Sequence, residues 1–239
     1  MLDSLAATCF HPGMESELDN PFWSSLHSRH HTLALREGGV ARYPADFAPF
    51  LGVADADVEV GDALAALVAP DESVLLLGIA PRRVPDGWRL EAFADLAQMT
   101  CTRPLEVIDG PEVIELSGIH RDDVLALTAL VYPHYFRTRT MELGRYFGIY
   151  QDGRLAAMIG ERLGTETTRE ASAICTHPDF NGRGYARRLT AMLANDLLAR
   201  GHVPFLHVSH ENRRALQLYQ QIGYRHRRDI GFWSLRRAG

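Results

Sequence analysis

The residues best placed to do chemistry form the run Asn181-Gly182-Arg183-Gly184-Tyr185-Ala186. Glycines let a backbone approach a phosphate closely, and the free amides at a helix start, backed by the helix dipole, attract an anion. The run follows an apolar, strand-like stretch, Ala171 to Thr176, across the turn His177-Pro178-Asp179-Phe180. It opens a helical segment, Arg187 to Arg200. Strand, glycine turn and helix together make an anion cradle. Taken alone, the same pattern fits a tight turn that merely starts a helix. Arg183, Arg187 and Arg188 stand where they could meet phosphate charge.

Three titratable residues lie nearby in the pattern. Glu170 starts the strand before the loop; counting by twos, it shares a face with Ser172, Ile174 and Thr176. His207, in the strand Leu206-His207-Val208, titrates near neutrality and could take an ammonium proton. Tyr219 sits on a helical stripe with Ala215, Leu218 and Ile222. Its phenol either packs in the core or donates a proton.

The elements that must position these groups follow from hydrophobic period. Residues 31–35, 39–43, 50–54 and 73–79 read as strands and 57–68 as a helix, while 88–102 fits either period. Asp109-Gly110-Pro111 is a turn signal and divides the chain into an accessory domain, 1–109, and a second domain, 110–239. Beyond it, 113–116 reads as a strand, 121–131 and 138–146 as helices, and 147–150 and 155–161 as a hairpin turning at Asp152-Gly153. Strands follow at 170–176, 205–208 and 230–235, with helices at 187–200 and 212–222. The expected class is α+β for the second domain, a mixed β-sheet flanked by helices, with a smaller α/β domain before it.

Composition narrows the function classes. No run of the 239 residues is long and apolar enough to span a membrane, and Met1 to Asn20 lacks the features of a signal peptide. Cys9, Cys101 and Cys175 are odd in number and widely spaced, which argues against a disulfide framework or a zinc site and favours a cytoplasmic setting. His27, His30 and His31 have no partners at metal-ligand spacing, so no metal is expected. The net charge of −5 is uneven: residues 180–239 hold eleven arginines against three acids, at the end that carries the loop. Such a field suits a polyanionic small ligand or nucleic acid. No helix-turn-helix, zinc set or stacking stripe supports nucleic acid. All 25 basic residues are arginine.

These residues resemble the GNAT superfamily of N-acetyltransferases, which use acetyl-coenzyme A (acetyl-CoA). The family loop reads Gln/Arg-x-x-Gly-x-Gly/Ala; here it is Asn181, Gly182, Arg183, Gly184, Tyr185 and Ala186, with Asn181 in place of its first residue and Gly184 and Ala186 keeping its small ones. A second signature matches Asn212, Ala215, Tyr219 and Gly223-Tyr224. The resemblance covers about 112–239 and implies acetyl transfer from acetyl-CoA to a primary amine of a small molecule or peptide. It implies that amides from Gly182 through Tyr185 and Ala186 to Arg187 bind the coenzyme pyrophosphate. Cys175 and Thr176, before His177, would pair with the pantetheine arm, and Asn212 would hydrogen-bond it. Tyr219 falls where the family places its general acid; Glu170 and His207 are both positions for a base. The implied acceptor wall, about 121–146, holds Tyr132, His134, Tyr135, Phe136 and Tyr146. Some relatives carry a degenerate acetyltransferase-like half, which 1–109 fits, as does a separate cap or dimerisation domain. A monomer or homodimer is expected, without nucleic acid or membrane. The competing reading is a non-catalytic acyl-CoA-binding regulatory module.

Overall fold

The computed structural model describes residues 12–238. Cys9 lies outside the described residues. Helices α1 (Pro12–Asp19) and α2 (Pro21–His27) lead into a small antiparallel sheet of β1 (Leu35–Glu37), β2 (Val40–Arg42) and β3 (Leu51–Val53). Then come α3 (Gly61–Leu67), β4 (Ser73–Leu77), β5 (Trp88–Ala92) and β6 (Leu96–Thr100). The stretch 88–102, ambiguous by period, is thus two strands.

The second half runs β7 (Ile114–Leu116), α4 (Arg121–Val131), β8 (Tyr146–Gln151), β9 (Arg154–Gly164), β10 (Thr168–Thr176), α5 (Tyr185–Ala199), β11 (Val203–Ser209), α6 (Arg213–Ile222), β12 (Arg225–Ile230) and β13 (Phe232–Arg237). The seven-stranded sheet has the order β12-β6-β11-β10-β9-β8-β7. This is the expected α+β architecture: α5 packs on one face through Leu189, Leu193 and Leu197, and α4 on the other through Val124 and Leu127. The β8–β9 hairpin turns at Asp152 (φ 52°) and Gly153 (φ 73°), both left-handed, as a tight turn matched to strand twist requires.

Several expectations change, among them the strand expected at 31–35, which begins only at Leu35. Residues 138–146 are not one helix. A short 3₁₀ turn, Thr140–Leu143, is held by the Thr140 hydroxyl, which accepts from Arg137 N at 2.7 Å and donates to Phe47 O at 2.7 Å. Tyr146 has already joined the sheet opposite Leu116 and Gly160. Residues 225–237 form two strands where one was expected at 230–235, and the two belong to different sheets. β13 leaves the large sheet and pairs between β4 and β5. In exchange β6, from before residue 109, fills the large sheet between β11 and β12. Two strands therefore cross the division expected at 109/110.

A further change concerns β10. Ser172 faces Gly160 on β9 and Cys175 faces Met158, so three steps on β10 match two on β9. The extra residue is a bulge at Ala173, whose φ is 50°. A bulge reverses the alternation. Ala171 and Ile174 pack toward α5, while Ala173 and Cys175 pack toward α4. Ile174 and Thr176 thus do not continue the Glu170 face by simple twos.

Candidate active site

The site is a split in the large sheet. β10 and β11 are parallel and paired only over Thr168–Glu170 against Val203–Phe205. Past that point they separate, and the backbone of β10 from Ala171 onward loses its partner on that side. A cavity of about 370 Å³ opens where the strands part, and a groove of about 680 Å³ continues toward the glycine loop. Ile174, Asn212, Ala215 and Tyr219 line both.

The groove holds the cradle. Gly182 and Gly184 both have φ 79°, and Gly184 caps α5 without any side-chain hydrogen bond to the first-turn amides. Those donors are left for a ligand. A Cβ on Gly184 would also come within 2.9 Å of Ile108 Cδ1. Thr176, Asn181, Arg183, Tyr185, Ala186 and Arg187 line the groove. Arg183 rests on the Phe180 ring, 4.9 Å from its centroid, and Arg187 pairs loosely with Glu106 at 3.3 Å. Arg188 turns away to the carbonyl of Ile108. His177 does not line either cavity with the others; its Nδ1 accepts from Asp179 N at 3.2 Å and shapes the turn. Asn212 caps α6 through Oδ1, which accepts from Ala215 N at 3.1 Å. Its Nδ2 donor has no partner among the described residues.

The cavity brings Glu170 and His207 together. Glu170 is 1% exposed and receives Arg162 through two 2.8 Å hydrogen bonds, Nε to Oε2 and Nη2 to Oε1. His207, its side chain 4% exposed, donates from Nδ1 to Glu170 Oε1 at 2.8 Å. Burial by itself would push the Glu170 carboxyl up. The Arg162 charge and hydrogen bonds, with the hydrogen bond from His207, outweigh it and hold the group down at about 2. Burial would lower Arg162, but Glu170 wins there too and raises it. Phe50 covers the guanidinium, 4.9 Å from ring to carbon.

Gln98 fixes the imidazole tautomer. Its Oε1 accepts from Arg227 at 2.8 Å, so its Nε2 must donate, to Leu18 O at 2.8 Å and to His207 Nε2 at 3.0 Å. His207 is then neutral at Nε2, with its proton on Nδ1. Gln98, Arg162 and Arg227 had no signal in the sequence. Each reaches the site through strand neighbours that only the sheet order defines.

Tyr219 is buried, with its phenol pushed up by desolvation, so it stays protonated. Its hydroxyl has no protein partner among the described residues. Of the aromatic wall, Tyr132, His134 and Tyr135 line the cavity. Phe136 and Tyr146 instead pack edge to face in the core, 5.9 Å apart. His30 is buried against Tyr43, Ser25 and Leu143, apart from the surface-exposed His31.

A family model described as FR47-like protein matches residues 146–233. No curated protein matches the chain. Among solved structures it is similar to a protein from Novosphingobium aromaticivorans DSM 12444 described as an acetyltransferase from the GNAT family. Identity is 32% and the TM-score 0.85, over 93% of this chain and 99% of that one. It shares its fold with a GCN5-related N-acetyltransferase from Kribbella flavida, at 16% identity and TM-score 0.61 over 92% and 96% of the two chains. A GCN5-related N-acetyltransferase-like protein from Streptococcus suis 89/1591 is similar in fold at 16% identity and TM-score 0.55, over 92% and 97%. No helix among the described residues is long and apolar enough to cross a membrane.

Proposed function

Because the chain belongs to the GNAT family of acetyltransferases, we propose that it moves an acetyl group from acetyl-CoA to a primary amine by direct attack. The observation that carries this reading is the meeting of the anion groove and the cavity at Tyr219. A donor held in the one and an acceptor in the other would touch at the parted strands.

Each residue then has a role. The amides of Gly182 to Arg187, with Arg183 and Arg187 beside them, hold the pyrophosphate. The open edge of β10 at Cys175 and Thr176 takes up the amide-bearing arm as an added strand, and Asn212 Nδ2 donates to it. The thioester supplies the activated acetyl group; the C–N bond forms as the C–S bond breaks. A backbone N–H freed where the strands part polarises the carbonyl. Tyr219 donates a proton to the departing sulfur. The Glu170–His207 pair walls the acceptor side. The reaction's partner is a small-molecule or peptide amine, and the setting is cytoplasmic.

Thermal unfolding with acetyl-CoA tests the donor half. A ligand at a hundred times its Kd stabilises by about 2.7 kcal/mol, so a clear rise in Tm is expected. Gly184→Ala, which puts a side chain at φ 79° and against Ile108, is expected to reduce that rise. An unchanged wild-type Tm at millimolar acetyl-CoA defeats the reading.

A further inference from the structure

The cavity wall specifies the kind of amine, given the acetyltransferase reading above. About 370 Å³ is small for a ligand site, and part of it must take the acetyl end of the donor. The first half of the chain contributes Phe22, Phe50, Leu77 and Leu96, and β13 adds Phe232, none of them titratable. Glu170 is the one carboxylate among the described residues lining the cavity. Arg162 and His207 already occupy it. A polycationic amine would find no free negative charge, and a buried unpaired ammonium is costly.

The wall also lacks a ready proton acceptor. His207 Nε2 already accepts from Gln98, which Arg227 and Leu18 O hold in one orientation. A proton placed there would set an N–H against an amide NH₂. The phenols of Tyr132, Tyr135 and Tyr219 and the thiol of Cys175 are all pushed upward by burial, so they remain protonated. His134 lies at the exposed rim, beside Tyr135 and outside this network.

We propose that the acceptor is a small amine on an apolar, ring-bearing body, captured as the free base by an aromatic-walled slot rather than deprotonated by a general base. Atoms and charge balance without one. The nitrogen lone pair attacks the thioester carbon, the C–S bond breaks, nitrogen loses one proton and sulfur gains one. An alkylamine of ordinary basicity is only about one part in a thousand free base at pH 7. Less basic amines of the same shape therefore start with an advantage approaching a thousandfold.

The test uses the full chain with 2-phenylethylamine and its β-fluoro and β,β-difluoro analogues, one body with stepwise lower basicity. Spermidine serves as the polycation. The alkaline limb of each kcat/KM profile is expected to have its midpoint at the acceptor's own pKa. At pH 7 the fluorinated amines should outpace the parent, and spermidine should be at least about a hundredfold poorer than the parent. Spermidine turning over as well as the aryl amines overturns the proposal. So does a midpoint that stays fixed along the series, or one that moves in His134→Gln. A protein that binds acetyl-CoA by calorimetry but acetylates none of the aryl amines refutes this inference alone. A protein that does not bind acetyl-CoA refutes the family-based reading beneath it.

Discussion

Glu170→Gln should cost the fold several kilocalories, and the structure gives the size. The carboxylate is buried, holds both forks of Arg162 and accepts from His207. Its pKa falls from 4.5 to about 2 on folding. At 1.36 kcal/mol per unit, the ionised form contributes about 3 kcal/mol at pH 7. Removing one partner of a buried pair generally costs about 3–5 kcal/mol, which agrees. For a chain of this size that is a fall in Tm of about 6–12 °C. The pH window follows from the direction of the shift. A carboxyl lowered on folding contributes fully above the unfolded value of 4.5, and the contribution fades as pH drops toward 2. By pH 3.5 the gap between wild type and variant should shrink to about 2 kcal/mol. Urea unfolding at pH 7, 4.5 and 3.5 measures it. Replacing both partners, Glu170→Met with Arg162→Met, should recover most of the loss, because no charge is left stranded. A Glu170→Gln variant within about 1 kcal/mol of wild type at pH 7, or a gap that does not narrow on acidification, would refute the pairing argument.

Other consequences are equally measurable. Tyr219→Phe should lower kcat about 100-fold or more with acetyl-CoA affinity unchanged; equal turnover would return Tyr219 to the core. His30 is held down at about 4 by burial, against 6.5 in the unfolded chain. Its neutral form donates from Nε2 to Leu143 O at 2.9 Å and accepts at Nδ1 from the Ser25 hydroxyl at 3.1 Å, the Tyr43 hydroxyl donating to Ser25 in turn. Stability should be full above pH 6.5 and fall by up to about 3 kcal/mol as pH drops toward 4. His30→Gln should lack that fall, and a wild type flat between pH 7 and 4.5 contradicts the assignment. A fragment of residues 110–239 lacks β6 and leaves β13 without β4 and β5. It should not unfold cooperatively, and a sharp two-state transition in the fragment would count against the exchange of strands.

What could be read from the sequence was local. The cradle, the Asp152-Gly153 turn and the α4 boundaries depend on residues a few positions apart, so spacing reveals them. What escaped depends on distant neighbours. Residues 88–102 looked ambiguous because β6 is buried on both faces, where neither period shows. The Ala173 bulge needs β9 to be seen at all. Arg162, eight positions before Glu170, reads as an ordinary strand arginine until the two strands are paired.

The strand exchange also fixes which side chains the first half places at the cavity. Phe232 reaches the cavity because β13 crosses into the sheet of β4 and β5, and Leu96 because β6 crosses the other way. Gln98, two residues further along β6, then sits against His207. A detachable cap could not do this, because the same ladder hydrogen bonds that complete each sheet place the side chains of the wall. On the proposed function, substituting Leu96 or Phe232 would therefore act on acceptor shape, while the groove at the glycine loop, which neither residue lines, keeps its geometry. On the proposed function, the exchanged strands bear on acceptor choice, and Ile174, Asn212, Ala215 and Tyr219, which line both spaces, tie it to donor binding.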